Sequence, residues 1–230
     1  MMKVFAYNFP HWKTQAGLFN LFLNGLIPDL VMLQDKKKLD IPHSDYRVVP
    51  RGEYLADPVD ICRKLNIKYK IMDHEDSAGG GLGVILGARI LSHDLINRYD
   101  NILNIHPGIL PGNRGLDNLK HSIIKRLPIG VTAHIIDHRI DMGTIIDTRI
   151  VPVYQDDTIR DVYIRQRNCE QELLIDVIKK GIYTGTPCTF SEKFTVITPD
   201  EDLNLHHDFA TYKKYHESSR LPAYIRIPAA

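Results

Sequence analysis

The feature that most constrains the fold of this 230-residue chain is an apolar run from Ile102 that is interrupted by two polar residues and stops at Pro107. The run is typical of a buried strand, in which residues two apart point to the same face. Asn104 and His106 therefore share one face at the carboxyl end of the strand. Open α/β sheets place their chemistry at that end.

A second polar feature follows about thirty residues later. Asp141 stands in a short turn with Gly143, between two strand-like runs at 131–137 and 144–151. If those strands neighbour the first, the carboxylate of Asp141 reaches the imidazole of His106. Taken alone, each feature is also explained by a structural polar pair or an ordinary turn, so the joint pattern carries the prediction.

The joint pattern resembles a known family. The stretch Asn104-Ile-His-Pro-Gly-Ile-Leu-Pro111, the run Gly130-Val-Thr132 with His134, and the turn Asp141-Met-Gly143 are similar to the formyltransferases that use 10-formyltetrahydrofolate. That family includes the glycinamide ribonucleotide, methionyl-tRNA and sugar-nucleotide formyltransferases. The resemblance covers roughly residues 82–153 and is loose elsewhere.

The resemblance implies residue roles. Asn104, His106 and Asp141 are the expected catalytic residues, which stabilise the formyl oxygen and remove a proton from the attacking amine. The co-substrate is expected to be 10-formyltetrahydrofolate, bound by a strand-end segment and by a turn that closes over the pterin. The expected binding residues of these two segments are Gly87, Arg89, Ile90, Leu91, Ile136, Asp137 and Arg139.

Strand and helix patterns alternate along the chain. Strands are predicted at 3–7, 30–34, 68–72 and 82–86, with an edge piece at 46–49, and helices at 12–26, 59–65, 92–99, 116–125 and 158–180. This order predicts an α/β fold: a Rossmann-like open, mostly parallel twisted sheet with helices on both faces. We expect a catalytic domain at 1–181 and a C-terminal extension at 182–230, with hairpin-like pieces near 190–197 and a helix near 208–216.

Composition excludes several classes of protein. The net charge of +1 argues against a nucleic-acid substrate, because phosphate contacts require a basic face, and the Lys36–Lys38 run reads as a solvated loop. We expect no membrane partner and no signal sequence, since no apolar run approaches the roughly 20 residues that cross a bilayer. The three separated cysteines indicate reduced thiols and a cytoplasmic protein.

Loops and histidines narrow the ligands. The loop at 8–11 has no glycine, which disfavours a dinucleotide ligand and also the purine-precursor substrate of the resembled family. The glycine-rich run Gly79–Gly83 precedes a strand, whereas a nucleotide-binding fingerprint follows a strand, so this run indicates an ordinary loop. His134 and His138 lie on a strand pattern that does not hold them to one ion, so we expect no metal. The expected substrate-binding residues are Phe9, Trp12, Lys13, Pro107, Gly108 and Arg114, although core packing also explains the aromatic ones. Gly108 stands where many members have Ser or Ala, a departure not expected to affect the chemistry.

By elimination, the expected acceptor is the amine of a nucleotide-linked amino sugar, such as a dTDP-amino-dideoxyhexose of lipopolysaccharide O-antigen biosynthesis. Two alternatives stay open: a formyltransferase acting on another amine, such as a purine precursor, and a non-catalytic folate- or nucleotide-binding module. The resemblance also implies a homodimer, with the C-terminal extension either at the dimer interface or over the substrate.

Overall fold

The computed structural model describes residues 1–35, 54–72, 79–216 and 225–227. These residues form two compact units. The first comprises 1–35, 54–72, 79–104 and 135–140, and the second comprises 105–134, 141–216 and 225–227. The predicted edge strand at 46–49 and the Lys36–Lys38 run lie outside the described residues.

The first unit is a parallel α/β arrangement. Its elements are β1 (Met2–Tyr7), α1 (Trp12–Leu23), β2 (Leu30–Gln34), α2 (Pro58–Lys64), β3 (Tyr69–Ile71), β4 (Leu82–Leu86), α3 (His93–Ile96) and most of β5 (Asn101–His106). The strands pair in the order β3, β2, β1, β4, β5, and all four pairings are parallel. Within this unit, the carboxyl ends of β1, β2 and β4 therefore lie at one edge.

The core of the first unit lies against these strands. Phe5 of β1 and Met32 of β2 pack with Leu91, Leu95, Tyr99 and Ile102, all of them buried. The rings of Phe5 and Tyr99 meet edge to face with centroids 5.4 Å apart. The segment after β4 is therefore fixed to the core of the first unit by the buried side chain of Leu91.

The second unit carries the remaining elements. They are β6 (Arg114–Gly115), α4 (Asn118–Lys125), β7 (Gly130–Ile135), β8 (Thr144–Ile150), α5 (Ile159–Lys180), β9 (Thr186–Pro187), β10 (Lys193–Phe194), α6 (Pro199–His216) and β11 (Ile225–Ile227). The carboxyl end of β5 neighbours β7, which neighbours β8. Both β11 and β9 pair with β8 antiparallel, while β10 pairs with β6 parallel.

Helix α5 has clear sequence determinants. Thr158 and Asp161 form a reciprocal capping box, and Gly181 ends the helix in the left-handed conformation at φ 64°. One buried stripe of the helix consists of Ile159, Val162, Gln166, Cys169, Leu173 and Val177. The glutamine is the polar member of an otherwise apolar stripe.

The predicted α/β class, with an open, mostly parallel, Rossmann-like sheet, is confirmed, and several predicted boundaries are corrected. Helix α1 ends at Leu23 and not at residue 26, because Gly25 takes a φ of 71°. Helix α4 begins at Asn118 and not at residue 116, because the N–H of Leu116 donates to the carbonyl of Phe194. Strand β10 pairs with β6, so the predicted hairpin near 190–197 was wrong.

The last long helix was also predicted too short. Helix α6 spans Pro199–His216, whereas the predicted helix began near residue 208. Thr198 and Glu201 bond reciprocally, with Thr198 N–H donating to Oε2 at 2.8 Å and Glu201 N–H donating to the hydroxyl at 3.3 Å. This capping box, followed by Pro199, was the signal for the earlier start.

Candidate active site

Strand β5 carries Asn104 and His106 at its carboxyl end. Asn104 is half-buried and His106 is 3% exposed. Because they are two residues apart on one strand, both project from the same face. Pro107 then turns the chain into the loop that precedes β6.

The structure brings His106 and Asp141 together. Nδ1 of His106 lies 3.6 Å from Oδ1 of Asp141, whose side chain is 20% exposed. The other carboxylate oxygen, Oδ2, accepts the Gly115 N–H at 3.1 Å. Burial raises the pKa of the Asp141 carboxyl above its ordinary value, and nearby His134 and the Gly115 hydrogen bond only partly oppose that rise.

The turn that carries Asp141 is held in an uncommon conformation. Asp141 has a φ of 49°, in the left-handed region, and Gly143 follows at 105°. Nδ1 of the fully buried His134 donates to the Met142 carbonyl at 3.0 Å, and the Cys188 N–H donates to the Gly143 carbonyl at 2.6 Å. The carboxylate is therefore positioned by fixed backbone.

The loop after His106 is fixed by hydrogen bonds from the side chains of Thr132 and Gln166. The hydroxyl of the buried Thr132 donates to the Gly108 carbonyl at 2.7 Å and accepts the Leu110 N–H at 3.1 Å. From α5, Nε2 of Gln166 donates to the carbonyls of Pro107 and Gly130, each at 3.0 Å. The sequence did not single out Gln166, although a polar residue on an apolar helical stripe was the available signal.

The next part of the loop, at 111–115, is hydrogen-bonded to a C-terminal segment at 191–194. Arg114 donates from its guanidinium to the Ser191 carbonyl at 2.9 Å, and the Ser191 hydroxyl donates to the Pro111 carbonyl at 2.6 Å. Gly115, at φ 109°, lies in strand pairing with Phe194. The residue that donates to Asp141 is thus held by the C-terminal segment.

In the first unit, the segment after β4 contains the residues predicted to bind the co-substrate. Gly87 has a φ of 92°, and the Tyr7 hydroxyl donates to the Ala88 carbonyl at 3.1 Å. The Arg89 N–H donates to Oε1 of Gln34 at 2.9 Å. Leu91 is buried in the core, whereas Ile90 beside it is 79% exposed.

The second predicted co-substrate segment, at 136–139, comes directly after β7 in the chain and also belongs to the first unit. The Ile136 N–H donates to the Ile102 carbonyl at 2.9 Å. Burial would raise the pKa of Asp137, but the hydrogen bonds from Arg139 outweigh it and lower that pKa. The rings of His138 and His93 lie 5.4 Å apart, so this turn approaches the start of α3.

The predicted substrate residues of the first unit lie around the start of α1. The ring of Phe9 stacks on that of Tyr7 with centroids 4.7 Å apart. The ring centroid of His11 lies 6.2 Å from that of Trp12, the first residue of the helix. Trp12 and Lys13 are half-buried. Aromatic side chains therefore line this loop where no glycine is present.

The described residues contain neither a candidate metal centre nor a candidate membrane span. No group of three or more His, Cys, Asp or Glu side chains there could hold a metal ion. Among the helices of residues 1–35, 54–72 and 79–216, none is long and apolar enough to cross a membrane. The side chains of Cys62, Cys169 and Cys188 are buried, and none of the three forms a disulfide.

Comparison with known proteins gives related sequences. A dTDP-4-amino-4,6-dideoxyglucose formyltransferase of Mycobacterium bovis is 35% identical over 116 residues, which are 49% of this chain and 45% of that protein. A phosphoribosylglycinamide formyltransferase of Haemophilus influenzae is 30% identical over 134 residues, covering 57% of this chain and 62% of that one. The chain thus spans about half the length of the first of these relatives.

Comparison with solved structures gives the same fold. An N-formyltransferase of Helicobacter canadensis, solved with folinic acid and dTDP-3-aminofucose, aligns with a TM-score of 0.65 at 21% identity, covering 96% of this chain and 85% of that one. The predicted resemblance, over residues 82–153, overlaps a match of residues 83–178 to the family described as formyl transferase. Residues 83–178, less than half of this chain, are thus similar to the family described as formyl transferase.

Proposed function

We propose that this protein is an N-formyltransferase that moves the formyl group of 10-formyltetrahydrofolate to the amine of a nucleotide-linked amino sugar. The observation that carries the proposal is the His106–Asp141 pair, 3.6 Å apart, within the segment that matches the family described as formyl transferase. A carboxylate beside a buried imidazole is an arrangement that can accept a proton from an attacking nucleophile.

The reaction balances without a further reactant. The amine nitrogen bonds to the formyl carbon, the bond from that carbon to N10 breaks, the amine loses one proton and N10 gains one. In this proposal Asn104 donates its amide N–H groups to the formyl oxygen as negative charge develops there, an interaction that typically contributes about a hundredfold or more in rate. The His106–Asp141 pair holds the proton between its departure from the amine and its arrival at N10.

The first unit offers surface suited to the co-substrate. Ile90, 79% exposed, supplies apolar contact area that a pterin would cover, and Asp137 supplies hydrogen-bond acceptors. Gly87, Arg89, Leu91, Ile136 and Arg139 complete the proposed binding set. Bound 10-formyltetrahydrofolate supplies the transferable formyl group, and these residues would orient it.

The choice of a sugar nucleotide as acceptor rests on two supports. The relative from Mycobacterium bovis is named for a dTDP-amino sugar, and the structural neighbour from Helicobacter canadensis was solved with another. The aromatic loop of Phe9 and Trp12, with Lys13, suits stacking on a nucleobase and pairing with a phosphate. A purine precursor is the second candidate, favoured by the similarity to the Haemophilus influenzae enzyme.

The proposal extends to the chain's organisation. Residues 1–181 form the catalytic domain and residues 182–230 the extension. The bonds of Ser191 and Phe194 to the loop at 111–116 support a role for the extension in covering the substrate, with Pro107, Gly108 and Arg114 in that loop. A cytoplasmic homodimer, acting in lipopolysaccharide or O-antigen biosynthesis, completes the proposal, and light scattering tests the dimer.

The test is a substrate panel. The purified full chain is incubated with 10-formyltetrahydrofolate and, separately, with dTDP- and UDP-linked amino sugars, glycinamide ribonucleotide, and no acceptor. Tetrahydrofolate release that depends on an amino sugar nucleotide supports the proposal. Release with glycinamide ribonucleotide alone identifies the second candidate, and no release with any amine, despite folate binding, indicates a non-catalytic module.

A further inference from the structure

The ring of His106 is held on both sides. Nδ1 faces Asp141, while Nε2 lies 2.9 Å from the backbone carbonyl oxygen of Asn113. A carbonyl oxygen can only accept a hydrogen bond, so Nε2 must donate and must carry a proton. The identity of the protonated nitrogen therefore follows from the chemistry of the partner.

The side chains of two buried asparagines, Asn113 and Asn118, form a hydrogen-bond network around that carbonyl. The side-chain Nδ2 of Asn113 donates to the Asn118 carbonyl at 2.9 Å and to the Ser122 hydroxyl at 2.7 Å, which fixes the orientation of the Asn113 amide. Its Oδ1 then faces Asn118, whose Nδ2 lies 3.1 Å from both Oδ1 and the backbone oxygen of Asn113. Since both of these atoms are acceptors, the Asn118 amide must point its nitrogen at them.

That orientation removes the other possibility for Nε2. Nδ2 of Asn118 lies 3.2 Å from Nε2 of His106 and could donate to it only if the ring nitrogen were unprotonated. The two hydrogens of Nδ2 are directed to the two oxygens of Asn113 instead. The network is therefore complete when Nε2 is the donor.

Gly108 makes this arrangement sterically possible. A Cβ at residue 108 would lie 2.5 Å from the Asn113 backbone oxygen and 3.1 Å from Nε2 of His106. The first distance is too short for any side chain unless the backbone moves. Gly108, the position at which this chain departs from the resembled family, thus allows the carbonyl to approach the ring.

We propose that Gly108, Asn113 and Asn118 are positioning residues that keep a proton on Nε2 of His106, so that only Nδ1, the edge facing Asp141, gains and loses a proton. The inference deepens the proposed function, on which its kinetic consequence rests. It leaves Nδ1 and the carboxylate of Asp141 as the proton-exchanging edge of the site.

Other ionisable groups surround this edge. His134 of β7 has its ring centroid 6.3 Å from that of His106, and Arg114 and Lys193 favour the charged form of Asp141. The protonation state of His106 must therefore be read directly at its nitrogens and not from a pH profile alone.

The first test needs no substrate. The full chain is labelled with 15N-histidine, and His106 is assigned among the eleven histidines by comparison with His106→Asn. Two-bond 15N–1H correlation spectra are recorded across the pH range in which the fold is stable. We expect an Nε2 shift typical of a protonated nitrogen throughout, with any change confined to Nδ1. An unprotonated Nε2 at any such pH would overturn the inference.

The second test perturbs the network with a matched control. Gly108→Ala displaces the Asn113 carbonyl, whereas Gly112→Ala, in the same loop, meets only the Ile109 oxygen at an ordinary 3.8 Å. We expect Gly108→Ala to show a mixture of His106 tautomers and Gly112→Ala to keep the wild-type spectrum. If Gly108→Ala does not fold, Asn118→Asp, which keeps the side chain's size but turns an acceptor towards Asn113, takes its place.

The kinetic consequence is measured on the same proteins. A positioning role lowers kcat by at least about tenfold, which is a part of the about 10²- to 10⁴-fold that acid–base catalysis contributes, and leaves KM for both substrates little changed. Wild-type kcat in a variant with mixed tautomers would refute the positioning role. If no amine is formylated by any protein, the proposed function fails while the NMR result still decides the protonation of Nε2.

Discussion

Replacing Asp141 by asparagine is expected to make the protein more stable and far less active. Burial raises the pKa of this carboxyl, so the folded state favours its neutral form relative to the unfolded chain. Burial of the ionised carboxylate therefore opposes folding. Asparagine removes the charge, keeps the shape and can still accept the Gly115 N–H through Oδ1.

The sign of the effect depends on pH. Above the folded-state pKa of Asp141, the variant gains stability on the order of 1 kcal/mol, which is within the ordinary range for point substitutions. As the pH falls through that pKa towards the unfolded value of 3.8, the carboxyl becomes neutral in both states and the gain disappears. Urea denaturation of both proteins at neutral and acidic pH measures the free energy of unfolding.

Turnover moves in the opposite direction. Without a carboxylate to accept a proton, kcat in the formyl-transfer assay is expected to fall by about 10²- to 10⁴-fold. Asp161→Asn is a control of opposite sign, because the Thr158 hydrogen bonds lower the pKa of Asp161, so this variant loses stability at neutral pH and keeps its activity. Near-normal turnover of Asp141→Asn would remove Asp141 from the mechanism, and lower stability at neutral pH would refute the burial argument.

Three further substitutions test other parts of the site. Asn104→Ala should lower kcat by about a hundredfold or more with little change in KM, and unchanged turnover would remove its amide from the reaction. Gln166→Leu leaves the Pro107 and Gly130 carbonyls without their donor, so urea denaturation should show a loss of about 1–3 kcal/mol. Gly115→Ala places a Cβ 2.0 Å from the Phe194 oxygen at a φ of 109°, so limited proteolysis should cut residues 186–197 faster and kcat should fall. Wild-type resistance and turnover would show that this strand pairing is dispensable.

The sequence predicted the strands best where burial imposes a regular pattern. Strands β2 and β4 were predicted with the bounds that the structure has, because each is a short apolar run between turn residues. Helix α5 was equally clear, since its capping box and terminal glycine are local signals. Strands β6 and β10 were missed because each has two residues, too few for any periodicity.

The site was predicted only in part, for a physical reason. His106 and Asp141 carry recognisable side chains, and their proximity follows from where their elements end. The partner of His106 Nε2 is a backbone carbonyl, a group that every residue has, so its role at Asn113 leaves no mark in the sequence. Gly108 was expected to be a departure without effect on the chemistry; the role proposed for it above differs, because a Cβ at residue 108 would lie 2.5 Å from that carbonyl oxygen.

The most direct test of the account follows the formyl group itself. 10-Formyltetrahydrofolate labelled with 13C in its formyl carbon is incubated with the protein and the amino sugar nucleotides, and the products are analysed by mass spectrometry and 13C NMR. The account predicts a 13C-labelled formamide on the sugar nitrogen, formed together with tetrahydrofolate and produced at least about a hundredfold more slowly by Asp141→Asn. Label that stays on the folate with every amine tested, or appears as free formate, would contradict it.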